Sequence, residues 1–197
     1  DQSAARLIPG TEGGLSPTFS PDGQSIAFFA DGHLKRISTD GGNATDLAEA
    51  PNSRGAVWGG DNSIIYSPEW VSGLRTIPAT GGNAEVIIDP DPEAGERTYR
   101  WPDLLPGGRT VIFTLGTTRN PQNYEGAQII AYSLDTGERK TLLEGASTAR
   151  FVWPNKIAYA RGSALFIAEI DLEETRIIGE PVQVFEDLGG DPSSGIA

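Results

Sequence analysis

Short runs of alternating apolar and polar positions recur along this chain, each bounded by Pro, Asp, Asn or Gly. SIAFF (25–29), LKRIS (34–38), SIIY (63–66), LRTIP (74–78), TVIFT (110–114) and IAYSL (130–134) are examples. A period of two, rich in β-branched and aromatic residues and punctuated by Asp-Gly or Gly-Gly, is the pattern of strands joined by hairpins. No window sustains the 3.6-residue period of an amphipathic helix.

The runs also repeat at long range. LKRISTDGGNATDL (34–47) aligns with LRTIPATGGNAEVI (74–87), with the Leu, base, Ile and Gly-Gly-Asn-Ala in register, and IAYSLDTGERKTL (130–142) is a looser copy. FSPDGQSIAF (19–28) aligns with WGGDNSIIY (58–66), LLPGGRTVIF (104–113) and VWPNKIAY (152–159). Units of roughly 40 to 45 residues, each holding four short strands, are the sequence signature of propeller blades. The expected fold is therefore all-β: a β-propeller of four-stranded antiparallel blades, about four of them present. The units are expected over 15–50, 51–92, 93–146 and 147–188, with 1–14 as outer strand of a preceding blade and linker, and 189–197 leading into a next one. Four blades of a larger ring would leave two apolar blade faces bare, so self-association through those edges is a further expectation.

The repeat decides how the Ser-Pro-Asp-Gly segment at 20–23 is read. Its place is taken by Asp61-Asn62 in the second unit and Gly107-Gly108 in the third, residues that are interchangeable as turn formers but not as metal ligands or catalytic groups. Comparison with the sialidase Asp-box fails at its Gly and Trp positions.

Composition narrows the chemistry. Fifteen basic and 27 acidic residues give a net charge of −12, which repels phosphate backbones and argues against nucleic acid as a partner. Cysteine is absent, removing disulfides, thiolate catalysis and Cys-ligated zinc, and the single histidine, His33, leaves no room for a His-rich metal site. Methionine is absent too, so the chain is expected to be a processed or trimmed piece of something longer. No apolar run approaches the roughly 20 residues of a membrane-spanning helix.

The phrase SPDGQSIAFFADGHLKRI (20–37) resembles the repeat of TolB-like, WD-type β-propellers. LIPGTEGG (7–14), FFADGHLKRI (28–37), RGAVW (54–58), RTIPATGG (75–82), GERTYRWPDLLPGGR (95–109) and GEPVQVFEDLGGDP (179–192) resemble, in this order, the propeller on the C-terminal side of some bacterial eukaryotic-type serine/threonine kinases. That resemblance implies an extracytoplasmic recognition or sensor module of a larger signalling protein, in a propeller of six or more blades of which this chain holds about four. The chain carries no Gly-rich phosphate loop, no Val-Ala-Ile-Lys strand and no His-Arg-Asp loop.

In a blade the chain runs up and down, so its loops sort to two ends. One end receives tight turns: SPDG, DGGN, TGGN, PGG and DTGE. The other receives EAPNSRG (49–55), SPEWVSG (67–73), DPDPEAGERTYR (89–100) and GTTRNPQNYEGA (116–127). Long loops on a rigid scaffold are where binding residues concentrate. Trp70 and Tyr124 lie there, either to stack on a ligand or to pack down on their own loops. Arg54 and Arg100 occupy equivalent repeat positions, either meeting an anion at the channel mouth or pairing with carboxylates between blades; Arg97 and Arg150 are weaker members of the set.

The run Asp89-Pro-Asp-Pro-Glu93 invites comparison with calcium loops but lacks their spacing. Trp58, Trp101 and Trp153 are expected in blade cores. No cofactor is expected. The site is read as non-catalytic, binding a protein, peptide or small molecule; the alternative is the propeller portion of an enzyme, a peptidase gate or a lyase, with its catalytic groups elsewhere.

Overall fold

The computed structural model describes residues 7–119, 124 and 126–188. Among these residues sixteen strands form four sheets, each an antiparallel meander in chain order. The first holds β1 (Leu15–Phe19), β2 (Ser25–Ala30), β3 (His33–Ser38) and β4 (Thr45–Glu49). The second holds β5 (Ala56–Trp58), β6 (Ser63–Tyr66), β7 (Leu74–Pro78) and β8 (Glu85–Ile88). β9 (Glu96–Leu104), β10 (Thr110–Thr117), β11 (Gln128–Ser133) and β12 (Arg139–Glu144) make the third. The last is β13 (Ser147–Val152), β14 (Lys156–Arg161), β15 (Ala164–Asp171) and β16 (Arg176–Phe185). No helix occurs among the described residues. This is the all-β blade architecture that the repeats imply.

Each blade packs its apolar face against the next. Phe29, Leu34 and Ala27 meet Trp58, Ile64 and Ile77 between blades 1 and 2. Ile65 and Leu74 meet Tyr99, Val111 and Phe113 between blades 2 and 3. Ile112, Ile129 and Leu143 meet Ile157, Tyr159 and Ile170 between blades 3 and 4. The inner strands β1, β5, β9 and β13 run side by side, each touching its neighbour.

A residue of left-handed backbone recurs at the equivalent place in each blade, within β1, β9 and β13 and just before β5. Ser16, Gly55, Trp101 and Thr148 all take positive φ, at 48°, 95°, 51° and 53°. In β1, β9 and β13 the pairing register with the neighbouring strand slips at this point. Such bulges bend the strand and re-aim its side chains. At Gly55 the space is also closed, since a Cβ there would lie 3.1 Å from the Cα of Trp101.

The tight turns are self-contained. The Asp22 carboxylate accepts hydrogen bonds from the Ser20 hydroxyl (2.6 Å) and the Gln24 N–H (3.0 Å). Asp61 does the same for the hydroxyl and N–H of Ser63. The Ser20 and Ser63 hydroxyls respectively are the main reason both acids are held below the usual carboxylate range. These acids serve their turns, as the repeat implied.

The two ends of the arc differ from its middle. Residues 8–14 lie against the outer face of blade 1, where Ile8 joins Ile26, Phe28 and Ile37. Phe19 on β1 and Val182, Val184 and Phe185 on β16 are exposed. The expected core position of Trp153 is corrected by the structure: it is 82% exposed, in the β13–β14 turn, because blade 4 has no following sheet to pack on it among the described residues. The outer strand expected over 1–9 falls largely, and the lead-in over 189–197 wholly, outside the described residues.

Candidate functional site

The connections at the end opposite the tight turns are unevenly distributed. Those at 31–32, 145–146 and 162–163 are two residues each, whereas 50–55, 67–73, 89–95 and 118–127 all border blades 2 and 3. Between those blades, 67–73 and 89–95 border a cleft of about 590 Å³ lined by Val71, Ser72, Pro90, Pro92, Arg97 and Thr118, together with the ion-paired Arg75, Asp89 and Glu96. Asp89 bonds Arg75 at 2.7 Å, and the nearly buried Glu96 bonds Arg139 at 2.5 Å. Burial would raise the Glu96 pKa, but Arg139, the Asp91 N–H and the Tyr99 hydroxyl outweigh it and hold the carboxyl below its usual range. Asp91 itself accepts from the N–H groups of Glu93 and Ala94, so the acidic run folds around its own turn.

Beside the cleft the structure gathers four of the residues singled out in the sequence. Arg100 is 4% exposed. Its Nη2 donates to the Trp70 carbonyl (2.9 Å) and its Nε to the Thr98 hydroxyl (3.2 Å). Its guanidinium carbon lies 5.2 Å from the Tyr124 ring centre and 5.9 Å from that of Trp101. Arg54 sits over the half-exposed Trp70 ring at 4.9 Å and donates to the Ser53 carbonyl at 2.7 Å. Among the described residues its buried Nε has no hydrogen-bond partner. Burial first, then the nearby charges of Arg54 and Arg97 acting against Tyr124, push the Arg100 pKa down to about 10.

Tyr124 is buried against Trp101, with ring centres 5.4 Å apart. Its seat depends on Gly116, where a Cβ would lie 2.8 Å from Thr98 Cγ2 and 3.1 Å from Tyr124 Cε1. Arg97 occupies a bulge, since adjacent residues of β10 pair with Glu96 and Thr98 and skip it. Arg97 thus joins the cleft, which it lines, to the cluster, whose electrostatics it shares.

Arg150 is separate from this group. It lies past the bend of β13, donates to the Trp101 and Ala149 carbonyls at 3.0 and 3.1 Å, and sits near Asp103. Burial lowers its pKa, while burial raises that of Asp103, which accepts from the Phe151 N–H at 2.8 Å. This arrangement ties blade 3 to blade 4. Among the described residues, Arg54, Arg100 and Arg150 form no ion pair, and their bonds go to carbonyls and a hydroxyl.

Sequence reasoning missed Val71, Ser72, Thr98 and Gly116. Val71 and Ser72 flank Trp70 in a loop that sequence had marked. The roles of Thr98 and Gly116 depend on packing across β9 and β10, which no local pattern reports.

Four-stranded meanders set side by side around inner strands define the class as β-propeller. No protein-family model and no curated protein matches this sequence. Among solved structures, a luciferin-regenerating enzyme matches with a TM-score of 0.65 at 12% identity, over 87% of this chain and 60% of its own. The calcium-binding protein regucalcin of Agrobacterium tumefaciens matches at 0.63 and 14%, over 86% of this chain and 58% of its own. TolB of Acinetobacter baumannii matches at 0.62 and 12%, over 86% and 42% respectively. The chain thus has the fold of TolB-like and related β-propellers and spans 42% to 60% of these proteins' lengths. One expectation is corrected here: the reading of the chain as not an enzyme does not hold, because structures sharing its fold include enzymes and the fold is compatible with either role.

Proposed function

We infer that this propeller is a recognition module that takes a peptide, protein segment or small ligand at the long-loop end of blades 2 and 3. One observation carries this reading. The connections 67–73 and 89–95, with Arg97 and Thr118 beside them, line one inter-blade cleft with apolar walls from Val71, Pro90 and Pro92, while the connections at 31–32, 145–146 and 162–163 have two residues each. A few polar groups on an apolar, preformed cleft is the usual make-up of a ligand site. The exposed Trp70, next in sequence to the cleft-lining Val71, adds an amphipathic surface of the kind found at interaction hot spots.

The resemblance in sequence to propellers of bacterial serine/threonine kinases supports a place in a signalling protein and an extracytoplasmic setting. Arg54, Trp70, Arg97, Arg100 and Tyr124 are assigned to this site, with Arg150 as an inter-blade tie beside it.

The test is an amide chemical-shift screen of the chain with a mixed library of fragments and short peptides. Responses should cluster at 67–73, 89–98 and 116–118. Clustering instead at the tight-turn end, or no response at the cleft, overturns the assignment.

A further inference from the structure

The polar groups that line the cleft allow its ligand to be specified further, an inference that rests on the recognition reading above. Each charged or hydroxyl side chain of the lining is already engaged. Arg75 pairs with Asp89 at 2.7 Å and Glu96 with Arg139 at 2.5 Å, while Glu96 Oε2 accepts from the Asp91 N–H at 2.9 Å. The Ser72 hydroxyl donates to the Glu69 carbonyl (3.1 Å) and accepts from the Glu69 N–H (3.3 Å), and the Thr118 hydroxyl donates to the Gly95 carbonyl (3.3 Å). Arg97 is not without a partner either. A charged ligand would have to compete with an existing partner or strip water from a pair without replacing it, and both cost affinity. The surface that gains from being covered is apolar: Val71, which is 59% exposed, with Pro90 and Pro92.

The main chain adds a direction. Pro90 and Pro92 have no N–H, Asp91 donates to Glu96, Glu93 and Ala94 donate to the Asp91 carboxylate, and Gly95 donates to the Pro92 carbonyl. That segment has spent its donors, and among the described residues the Pro90 carbonyl accepts nothing. In 67–73 the balance is reversed. The carbonyls of Pro68, Glu69, Trp70 and Ser72 accept from Asn52, Ser72, Arg100 and Tyr99 respectively, whereas the N–H groups of Val71 and Ser72 have no partner among the described residues. One border of the cleft offers an acceptor and the other offers donors, and an amide answers both.

We propose that the cleft between blades 2 and 3 receives an uncharged peptide segment, which seats an aliphatic or aromatic side chain against Val71, Pro90 and Pro92 and bonds through its main-chain amides to the Val71 and Ser72 N–H groups and the Pro90 carbonyl. Charge on the segment is selected against. Binding that depends on apolar contact and neutral amides also escapes screening by salt.

The capped peptide acetyl-alanyl-leucyl-alanyl-amide is the probe, alongside versions with aspartyl, lysyl or glycyl at the centre and 4-methylpentan-1-ol as an apolar body without an amide. All are read by the amide shifts of Val71, Ser72, Gly95 and Thr118. The leucyl peptide should saturate these shifts with a Kd of about 10 mM or below, and the other three peptides should each bind at least about fivefold more weakly. Raising the salt concentration from about 50 to about 500 mM should move the Kd less than about twofold. Val71→Ser should raise it about threefold or more and Val71→Ile should not, and Pro92→Ser, in the other wall, repeats the test should the first variant unfold. An aspartyl or lysyl peptide that binds as tightly as the leucyl one, or a Kd that follows salt, overturns the neutral-ligand inference and leaves the recognition cleft standing. Equal binding of the alcohol overturns the peptide assignment. No saturation by the leucyl peptide at up to about 10 mM, with fragments still responding at the cleft, overturns it as well. A fragment screen silent at the cleft would remove both readings.

Discussion

The two ends of the blades use charged residues in opposite ways. At the tight-turn end, Asp22 and Asp61 spend their oxygens on the hydroxyls and N–H groups of their own turns, and Arg109 pairs with Asp135 in the open. At the long-loop end, Arg54 and Arg100 bond to carbonyls, a hydroxyl and aromatic faces drawn from several loops. The turn acids are satisfied within their own turns, whereas Arg100 reaches across to the Trp70 carbonyl and the Tyr124 ring and Arg54 lies on the Trp70 ring, so at the long-loop end the arginines join loops that sequence keeps apart.

The sharpest way to break the contrast is at Gly73. A Cβ there would lie 1.9 Å from the Ile88 carbonyl oxygen, so Gly73→Ala must force the 67–73 loop away from β8. A loss of about 3 kcal/mol or more is expected in urea denaturation; an unchanged midpoint would show that the loop does not close the cleft. Next is the pair Arg100→Ala and Arg109→Ala. Removing Arg100 strips two buried hydrogen bonds and its ring packing, an expected loss of about 2 kcal/mol, against about 0.5 kcal/mol or less for the exposed ion pair of Arg109. Equal losses would erase the distinction between the two ends.

Gly116→Ala should cost about 1–2 kcal/mol and alter the near-ultraviolet dichroism as Tyr124 shifts from Trp101. A native spectrum would place Tyr124 elsewhere. Acid should act through Glu96. Its folded pKa lies below the unfolded value, so its stabilisation is present above the usual carboxylate range and disappears as the pH falls through the lowered folded value. Glu96→Gln should flatten that part of the stability-versus-pH curve, and an unaltered slope would assign acid sensitivity to other groups. The smallest effect is expected at Asp61→Ala, about 0.5 kcal/mol after allowance for solvent screening, with no change at the cleft.

How much of this was legible depended on the range of the interaction. Hairpin turns and alternating strands are local, so SPDG, DGGN and TGGN announced the blades, and Arg54 and Arg100 could be matched through the repeat. The failures were at a distance. Trp153 sits where Trp58 and Trp101 lead one to expect a core residue, yet packing needs a following sheet and blade 4 has none among the described residues. Inter-blade carboxylate pairing was the favoured of the two readings of Arg100, but among the described residues its hydrogen bonds go to the Trp70 carbonyl 30 residues away and to the Thr98 hydroxyl. The left-handed residue that recurs in each blade falls on Ser16, Gly55, Trp101 and Thr148, and only the glycine has a residue type that signals it.

By itself, then, the sequence determined the all-β class, the four repeated units and the division of loops between two ends, because strand period and turn chemistry are set by neighbours within a few residues. Tertiary structure alone decided that Arg100 meets the Trp70 carbonyl and the Tyr124 ring, that Arg54 lies on the Trp70 ring, that Arg97 lines the neighbouring cleft, and that Arg150 turns away toward blade 4. Those positions are fixed by how two twisted sheets press together, an energy shared among residues that sequence keeps far apart.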